Sequence, residues 1–320
     1  MKKMPLLKEH ILLVGILTFC INIDDARSLD GHYTPPNVAR LTDLFHHQPL
    51  NQAFLTFFGG SNIHFVNNGS YVQLNLNKTS GSGLISLNKY NYGFFSAAIK
   101  LPQGYSSGVV VAFYMSNADL FPHNHDEIDF ELLGHENGKE WLLQTNIYGN
   151  GKTNIGREEK FRFWFDPTKE FHQYSIIWNS HHTVFLVDNI PVREVENNEV
   201  MSTIYPSKPM SVYATIWDGS EWATNGGKNP VNYKYEPFVA SFGEMEMEGC
   251  VWVSARSVPS CSKGGQEGPS AVDPVEGENF IKLSQQQKMG MDWARNRFMI
   301  YSYCKDPGRF PVLPPECKTK

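Results

Sequence analysis

One ten-residue stretch limits what this chain can fold into more than any other. In His125-Asp126-Glu127-Ile128-Asp129-Phe130-Glu131-Leu132-Leu133-Gly134, three acids alternate with three apolar residues. A period of two is that of a β-strand, which puts Glu127, Asp129 and Glu131 on one face and Ile128, Phe130 and Leu132 on the other. Carboxylates crowded on one face repel, and at least one of their pKa values must rise. A solvated edge strand tolerates such a face. So does a site that needs one carboxyl protonated beside one ionised.

The surrounding sequence is strand after strand. Tyr71 to Leu76 alternates cleanly, and Gly81-Ser82-Gly83 reads as a turn. Phe94 to Leu101, Val109 to Met115, Phe161 to Phe165, Tyr174 to Trp178, Thr183 to Val187 and Met210 to Trp217 follow. Asp188-Asn189 is a hairpin signal. Residues 28 to 50, with Pro35-Pro36, read as irregular. The run predicts an all-β fold, a curved antiparallel β-sandwich or jelly roll. After Cys250 the composition shifts. Residues 262 to 278 read as a linker or mobile loop, Ser284 to Asn296 as a helix and Met299 to Tyr303 as a strand.

Lys2, Lys3 and Lys8 precede an apolar run from Ile11 to Ile23, too short for a comfortable bilayer span. A secretory signal over residues 1–27 is expected, followed by a catalytic domain over 28–249 and a C-terminal extension over 250–320. The protein is therefore expected outside the cell, without stable membrane association. Cys250, Cys261, Cys304 and Cys317 all lie past residue 249 and predict two disulfides. Three pairings are open, and neighbour pairing closes the smallest loops. No CxxC pair is present and adjacent His46 and His47 face opposite ways on a strand, so no metal is predicted. Sequons at Asn68 and Asn77 suit an exported glycoprotein. A net charge of −5 across 320 residues argues against nucleic acid as a partner. No cofactor is called for, and a monomer is expected.

Glycoside hydrolysis uses a carboxylic acid beside a carboxylate. Retaining enzymes hold the two about 5–5.5 Å apart and inverting ones roughly 6.5–9.5 Å. Residues four apart on a strand have Cα atoms about 13 Å apart. Leaning side chains in a concave sheet close that gap, which favours retention. In this reading Glu127 is ionised, Glu131 is protonated and Asp129 shares a proton with either. Residues 134 to 138 form a turn, and Trp141 to Tyr148 returns. Both in-phase registers place Gln144 and Asn146 on the acidic face with Thr145 behind. Trp222 sits in a polar, glycine-rich loop and is read as a platform for a sugar ring.

The motif at 125–131 resembles the catalytic signature of plant xyloglucan endotransglucosylase/hydrolases, members of glycoside hydrolase family 16. Supporting matches are Gln144-Thr145-Asn146, Gly156-Arg157-Glu158, Trp164 to Thr168, Glu221-Trp222-Ala223-Thr224 with Gly226-Gly227, and Tyr301 to Cys304 with Arg309-Phe310-Pro311. The resemblance implies a concanavalin-like jelly roll, with Glu127 as nucleophile, Asp129 as helper and Glu131 as acid/base. It implies glucan contacts at Gln144, Thr145, Asn146, Gly156, Arg157, Glu158, Glu221, Trp222, Gly226 and Arg309. Its expected partners are a xyloglucan donor and acceptor in the cell wall, with transfer exceeding hydrolysis. A mixed-linkage β-glucanase of the same clan and a non-catalytic glycan-binding jelly roll are the alternatives. Leu132 stands where Phe is usual, no sequon follows the motif at residues 135–139, and the Tyr148-to-Gly156 connection is longer. These departures resemble the more divergent branch.

Overall fold

The computed structural model describes residues 34–138, 140–253 and 274–318, together with the backbone of 260–261. The expected signal at 1–27 and most of the 262–278 linker lie outside the described residues. Fifteen strands follow in order: β1 Phe54–Phe58, β2 Ile63–Val66, β3 Tyr71–Leu76, β4 Ser82–Lys100, β5 Val109–Ser116, β6 Glu127–Leu133, β7 Leu142–Tyr148 and β8 Glu159–Arg162. They continue as β9 His172–Trp178, β10 His182–Val187, β11 Ile190–Glu196, β12 Met210–Asp218, β13 Phe238–Trp252, β14 Ser260–Cys261 and β15 Met299–Ser302. Two helices complete the set, α1 Leu50–Ala53 and α2 Gln285–Phe298.

Every pairing is antiparallel, and the main path runs β11-β10-β9-β4-β12-β5-β6-β7-β8-β15. This is the predicted β-sandwich, and one long strand makes it. The first half of β4 pairs with β1 and β12, and its second half pairs with β9 and β13. Between the halves Tyr92 and Gly93 take positive φ, 75° and 156°. A Cβ on Gly93 would lie 2.6 Å from the Glu248 carbonyl oxygen, so only glycine lets β4 pass β13 there. The Gly81–Gly83 turn of the sequence reading is thus displaced, because Ser82 and Gly83 already pair with β12.

The layers close over one core. Ile128, Phe130 and Leu132 are fully buried, and Phe130 meets Phe185 and Tyr174 edge-on at 5.1 and 5.8 Å. Burying each such side chain is worth about 1.5–3 kcal/mol. The apolar face of β6 therefore fixes the direction of its acidic face. The Asp188-Asn189 hairpin forms as expected, with both residues at positive φ. Helix α2 begins at a capping box between Ser284 and Gln287 and ends two residues beyond the expected limit.

The C-terminal region is stapled by the Cys304–Cys317 disulfide. Cys250 stands opposite Cys261 in the β13–β14 register, as neighbour pairing requires. The Cys261 side chain lies outside the described residues. Strand β13 runs unbroken through Cys250 to Trp252, so backbone pairing continues across the expected boundary at 249/250.

Candidate active site

The β6–β7 hairpin takes one of the two in-phase registers. Glu131 faces Gln144, Asp129 faces Asn146 and Glu127 faces Tyr148. On the other side of β6, Ala112, Tyr114 and Ser116 of β5 oppose Glu131, Asp129 and Glu127. The acids thus occupy the floor of a cleft of about 820 Å³. Its walls include Tyr114, Tyr148, Lys160, Trp217, Trp222 and Arg309.

The three acids differ in their surroundings. Burial raises the pKa of Glu127, and a hydrogen bond from Ser116 and the nearby His125 oppose that rise. The His125 Nε2 lies 3.7 Å from Glu127 Oε2. Asp129 is wholly buried and is pushed well above the usual range by burial, then by Glu127 and Glu131 on either side. Glu131 is pushed up to about 7, chiefly by burial, against the opposing hydrogen bond from Gln144. That bond runs from Gln144 Nε2 to Glu131 Oε2 at 2.5 Å. Ser116 and His125 help Glu127 to ionise, and Glu131 is poised to hold a proton near neutral pH.

Asp126, just before the strand, is buried and faces away from this chemistry. Its carboxylate accepts from the backbone N–H groups of Asn150, Ser207 and Lys208 at 2.8–2.9 Å and from Lys208 Nζ at 2.5 Å. It ties two loops to the entry of β6. Strand period sets it apart from the three acids, since Asp126 has the parity of Ile128 and Phe130.

The glucan-contacting candidates divide by placement. Gln144, Asn146, Glu158, Trp222 and Arg309 line the cleft. Arg309 forks onto Glu158 at 2.7 and 3.2 Å. Gly156 lies beneath that pair, where a Cβ would fall 2.1 Å from Glu158 Oε1 and 2.6 Å from Arg309 Nη2. Thr145 points behind the sheet, and Arg193 Nη1 donates to its carbonyl and hydroxyl oxygens at 3.0 and 3.1 Å. Arg157 also turns away. Its guanidinium is buried against Glu316 at 2.7 Å, while its backbone N–H fixes the Asn146 amide oxygen at 2.8 Å. Glu221 and Gly226 are exposed on the Trp222 loop. Thr224 pins that loop by donating to the Gly134 carbonyl and accepting from Gly108 N–H, at 2.8 and 2.7 Å.

Several wall residues escaped the sequence reading. Tyr114 alternates with Ala112, and Lys160 with Glu158, so strand period alone offered both once the facing strands were known. Asp306 and Tyr301 enter from the tail, where Tyr301 donates to Asp306 at 2.9 Å. Of the sequons, Asn68 is exposed in a turn. Asn77 is partly buried and its amide donates to Asn62 at 3.0 Å.

Comparison with known proteins agrees with this geometry. The description "Glycosyl hydrolases family 16" matches residues 50–235, and "Xyloglucan endo-transglycosylase (XET) C-terminus" matches residues 275–317. The chain is 49% identical over 268 residues to Arabidopsis thaliana "Probable xyloglucan endotransglucosylase/hydrolase protein 27", covering 84% of this chain and 78% of that one. It is 36% identical to "Xyloglucan endotransglucosylase protein 2" of Diospyros kaki, covering 84% and 88%. Among solved structures, the Bacillus licheniformis beta-glucanase superposes with a TM-score of 0.52 at 21% identity, over 63% of this chain and 97% of that one. A Crh5 transglycosylase in complex with NAG gives 0.53 at 19%, over 69% and 89%. At such identities the last two speak for the fold alone.

Proposed function

Because the chain belongs to the xyloglucan endotransglucosylase/hydrolase family within glycosyl hydrolases family 16, we propose that it cuts the β-1,4-glucan backbone of xyloglucan with retention and passes the glycosyl unit to a xyloglucan acceptor. The observation that carries this reading is the acid row on the cleft floor, with Glu131 held near pH 7 and Glu127 helped to ionise.

In the first step Glu131 gives its proton to the departing glycosidic oxygen, while a Glu127 oxygen attacks the anomeric carbon. The donor's new reducing-end sugar is then an ester of Glu127. The leaving chain departs with a free hydroxyl. In the second step Glu131, now a carboxylate, takes the proton of an acceptor hydroxyl. That oxygen attacks the anomeric carbon and frees Glu127. Asp129 keeps a proton between the two glutamates, which limits the negative charge that Glu127 must carry. A held acceptor competes with water because positioning supplies effective molarities of about 10⁵ M or more. Glu158, Arg309 and Asp306 on the tail side, and Trp222 from the loop after β12, are the positioning groups.

Secretion to the cell wall after loss of residues 1–27, a catalytic domain at 28–249 with a 250–320 extension, and action as a monomer complete the proposal. Among the described residues no helix is long and apolar enough to cross a membrane. The test supplies xyloglucan with and without a labelled xyloglucan oligosaccharide. Label is expected to enter polymer far faster than new reducing ends form. Equal release of reducing ends without acceptor would make the enzyme a hydrolase. Cleavage of unbranched mixed-linkage glucan in preference to xyloglucan would move it to the clan's β-glucanases.

A further inference from the structure

The cleft face continues past Tyr114. Tyr213, Thr215 and Trp217 alternate along β12, and the last two line the cleft, so Tyr213 shares their face. Its ring lies parallel to that of Tyr114, with centroids 4.7 Å apart and 8° between planes.

Strand β1 extends the row. In its pairing with β4, Thr56 faces Leu84 and Phe58 faces Gly83, which leaves Phe57 as the extra residue of a bulge. A bulge breaks the strict alternation of a strand and re-aims a side chain. Phe58 lines the cleft, and Phe57 also reaches the cleft face, meeting Tyr213 at 5.2 Å and 67°. In an unbulged strand the two phenylalanines would point to opposite sides. Gly83 leaves room for them, because a Cβ there would lie 2.7 Å from the Phe58 ring.

Leu55 and Tyr213 both pair with Ile85, so Leu55 belongs to the same face. Leu55 and Phe57 are 56% and 50% exposed. An apolar ledge continuous with a polar cleft marks a place where something binds. Strand β1 lies four strand spacings from β6, about 19 Å. Only a chain of several sugar rings touches the acids and the ledge together.

We propose that Phe57, with Leu55 and the Tyr213–Tyr114 pair behind it, forms a remote subsite for a backbone sugar ring of the donor polysaccharide, on the side of the cleft opposite the Arg309 loop. This rests on reading the cleft as a glucan site. The flat C–H faces of a β-linked glucan suit aromatic and leucine side chains, and the subsite makes the enzyme prefer long donors.

The test measures transfer rates for the unaltered protein, Phe57→Ala and Phe57→Trp, with polymeric xyloglucan and with oligosaccharide donors too short to span the distance. Phe57 is half exposed, and an unchanged melting curve checks that each variant folds. Phe57→Ala is expected to raise the KM for polymer about five- to tenfold, with kcat within about twofold. The effect should shrink as the donor shortens, leave the acceptor KM in place and be reversed by Phe57→Trp. An unchanged polymer KM, or an equal loss for every donor length, overturns the subsite. An unchanged KM together with a lost dimer would give the ledge to a second copy and overturn it as well. An unaltered protein inactive on xyloglucan defeats the cleft reading and the subsite together, whereas an active one with Phe57→Ala indistinguishable defeats the subsite alone.

Discussion

In the proposed mechanism Glu131 carries the heaviest demand of any residue in the chain, since it gives a proton in one step and takes one in the next. Its carboxyl, raised to about 7, suits both. Formation of the glycosyl-enzyme should therefore fall as pH rises through about 7, where Glu131 loses its proton, and single-turnover rates across pH 5–9 would show the break. A flat rate to pH 9 would remove Glu131 from the acid role. Glu127→Ala and Glu131→Ala should each reduce turnover to below a few per cent in a folded protein, checked by reducing-end assay beside circular dichroism. The acids were legible because strand period is a local property. Gly156-Arg157-Glu158 was read less well as one contacting unit. An extended chain alternates, so Glu158 enters the cleft while Arg157 is buried against Glu316. Tyr114 was invisible for another reason. Its place beside Asp129 depends on a β5–β6 register across a loop of about ten residues, and no local pattern sets that register.

At the scale of elements, the tail is the part whose job is plainest. The Cys304–Cys317 disulfide closes a loop, with a sequence separation of 13, that carries Asp306 and Arg309 into the cleft. The buried Arg157–Glu316 pair seats the far end of that loop. Closing a loop of this length is worth about 3 kcal/mol on the chain-entropy account. Cys304→Ser with Cys317→Ser should lower stability by roughly that amount in urea melts. It should also raise the acceptor KM more than the donor KM, because Arg309 loses its support. Glu316→Ala leaves a buried guanidinium unpaired and should cost about 3–5 kcal/mol by the same assay. Equal acceptor KM values in all three proteins would show that the loop does not hold the acceptor. The sequence placed the staples in this region and found helix α2 through its cap and period. It did not reveal the bend of β4. The reading of a turn at 81–83 and a strand from Phe94 leaves out the first half of this 19-residue strand, whose pairing with β1 and β12 no local pattern shows.

For the molecule as a whole, the acids to which catalysis is assigned in the proposal make folding harder as pH rises, and a fourth acid outside the cleft does the same. Glu246 on β13 is wholly buried on the face away from the core residues Met245 and Met247, and among the described residues neither carboxyl oxygen has a hydrogen-bond partner. His47 Nε2 lies 3.2 Å from one of them. Burial, then Glu244, Asp43 and Glu248, push its carboxyl up to about 8. Below about pH 4 such a carboxyl is protonated whether the chain is folded or not, and pH has no leverage on stability through it. Between there and pH 8 the unfolded chain releases the proton that the folded chain keeps, so stability falls. Above pH 8 both forms are ionised and the penalty is constant. Glu127, Asp129 and Glu131 act in the same direction. The protein should therefore melt several degrees higher at pH 5.5 than at pH 8.5. Glu246→Gln should recover part of that difference at pH 8.5, change little at pH 4.5, and leave turnover unaltered, since the residue is remote from the cleft. Glu131→Gln should give the same pH-dependent gain in melting temperature but with activity lost. If Glu246→Gln instead melts lower at pH 8.5, the buried carboxylate is stabilised by His47 more than burial costs it, and the acid row alone accounts for the slope.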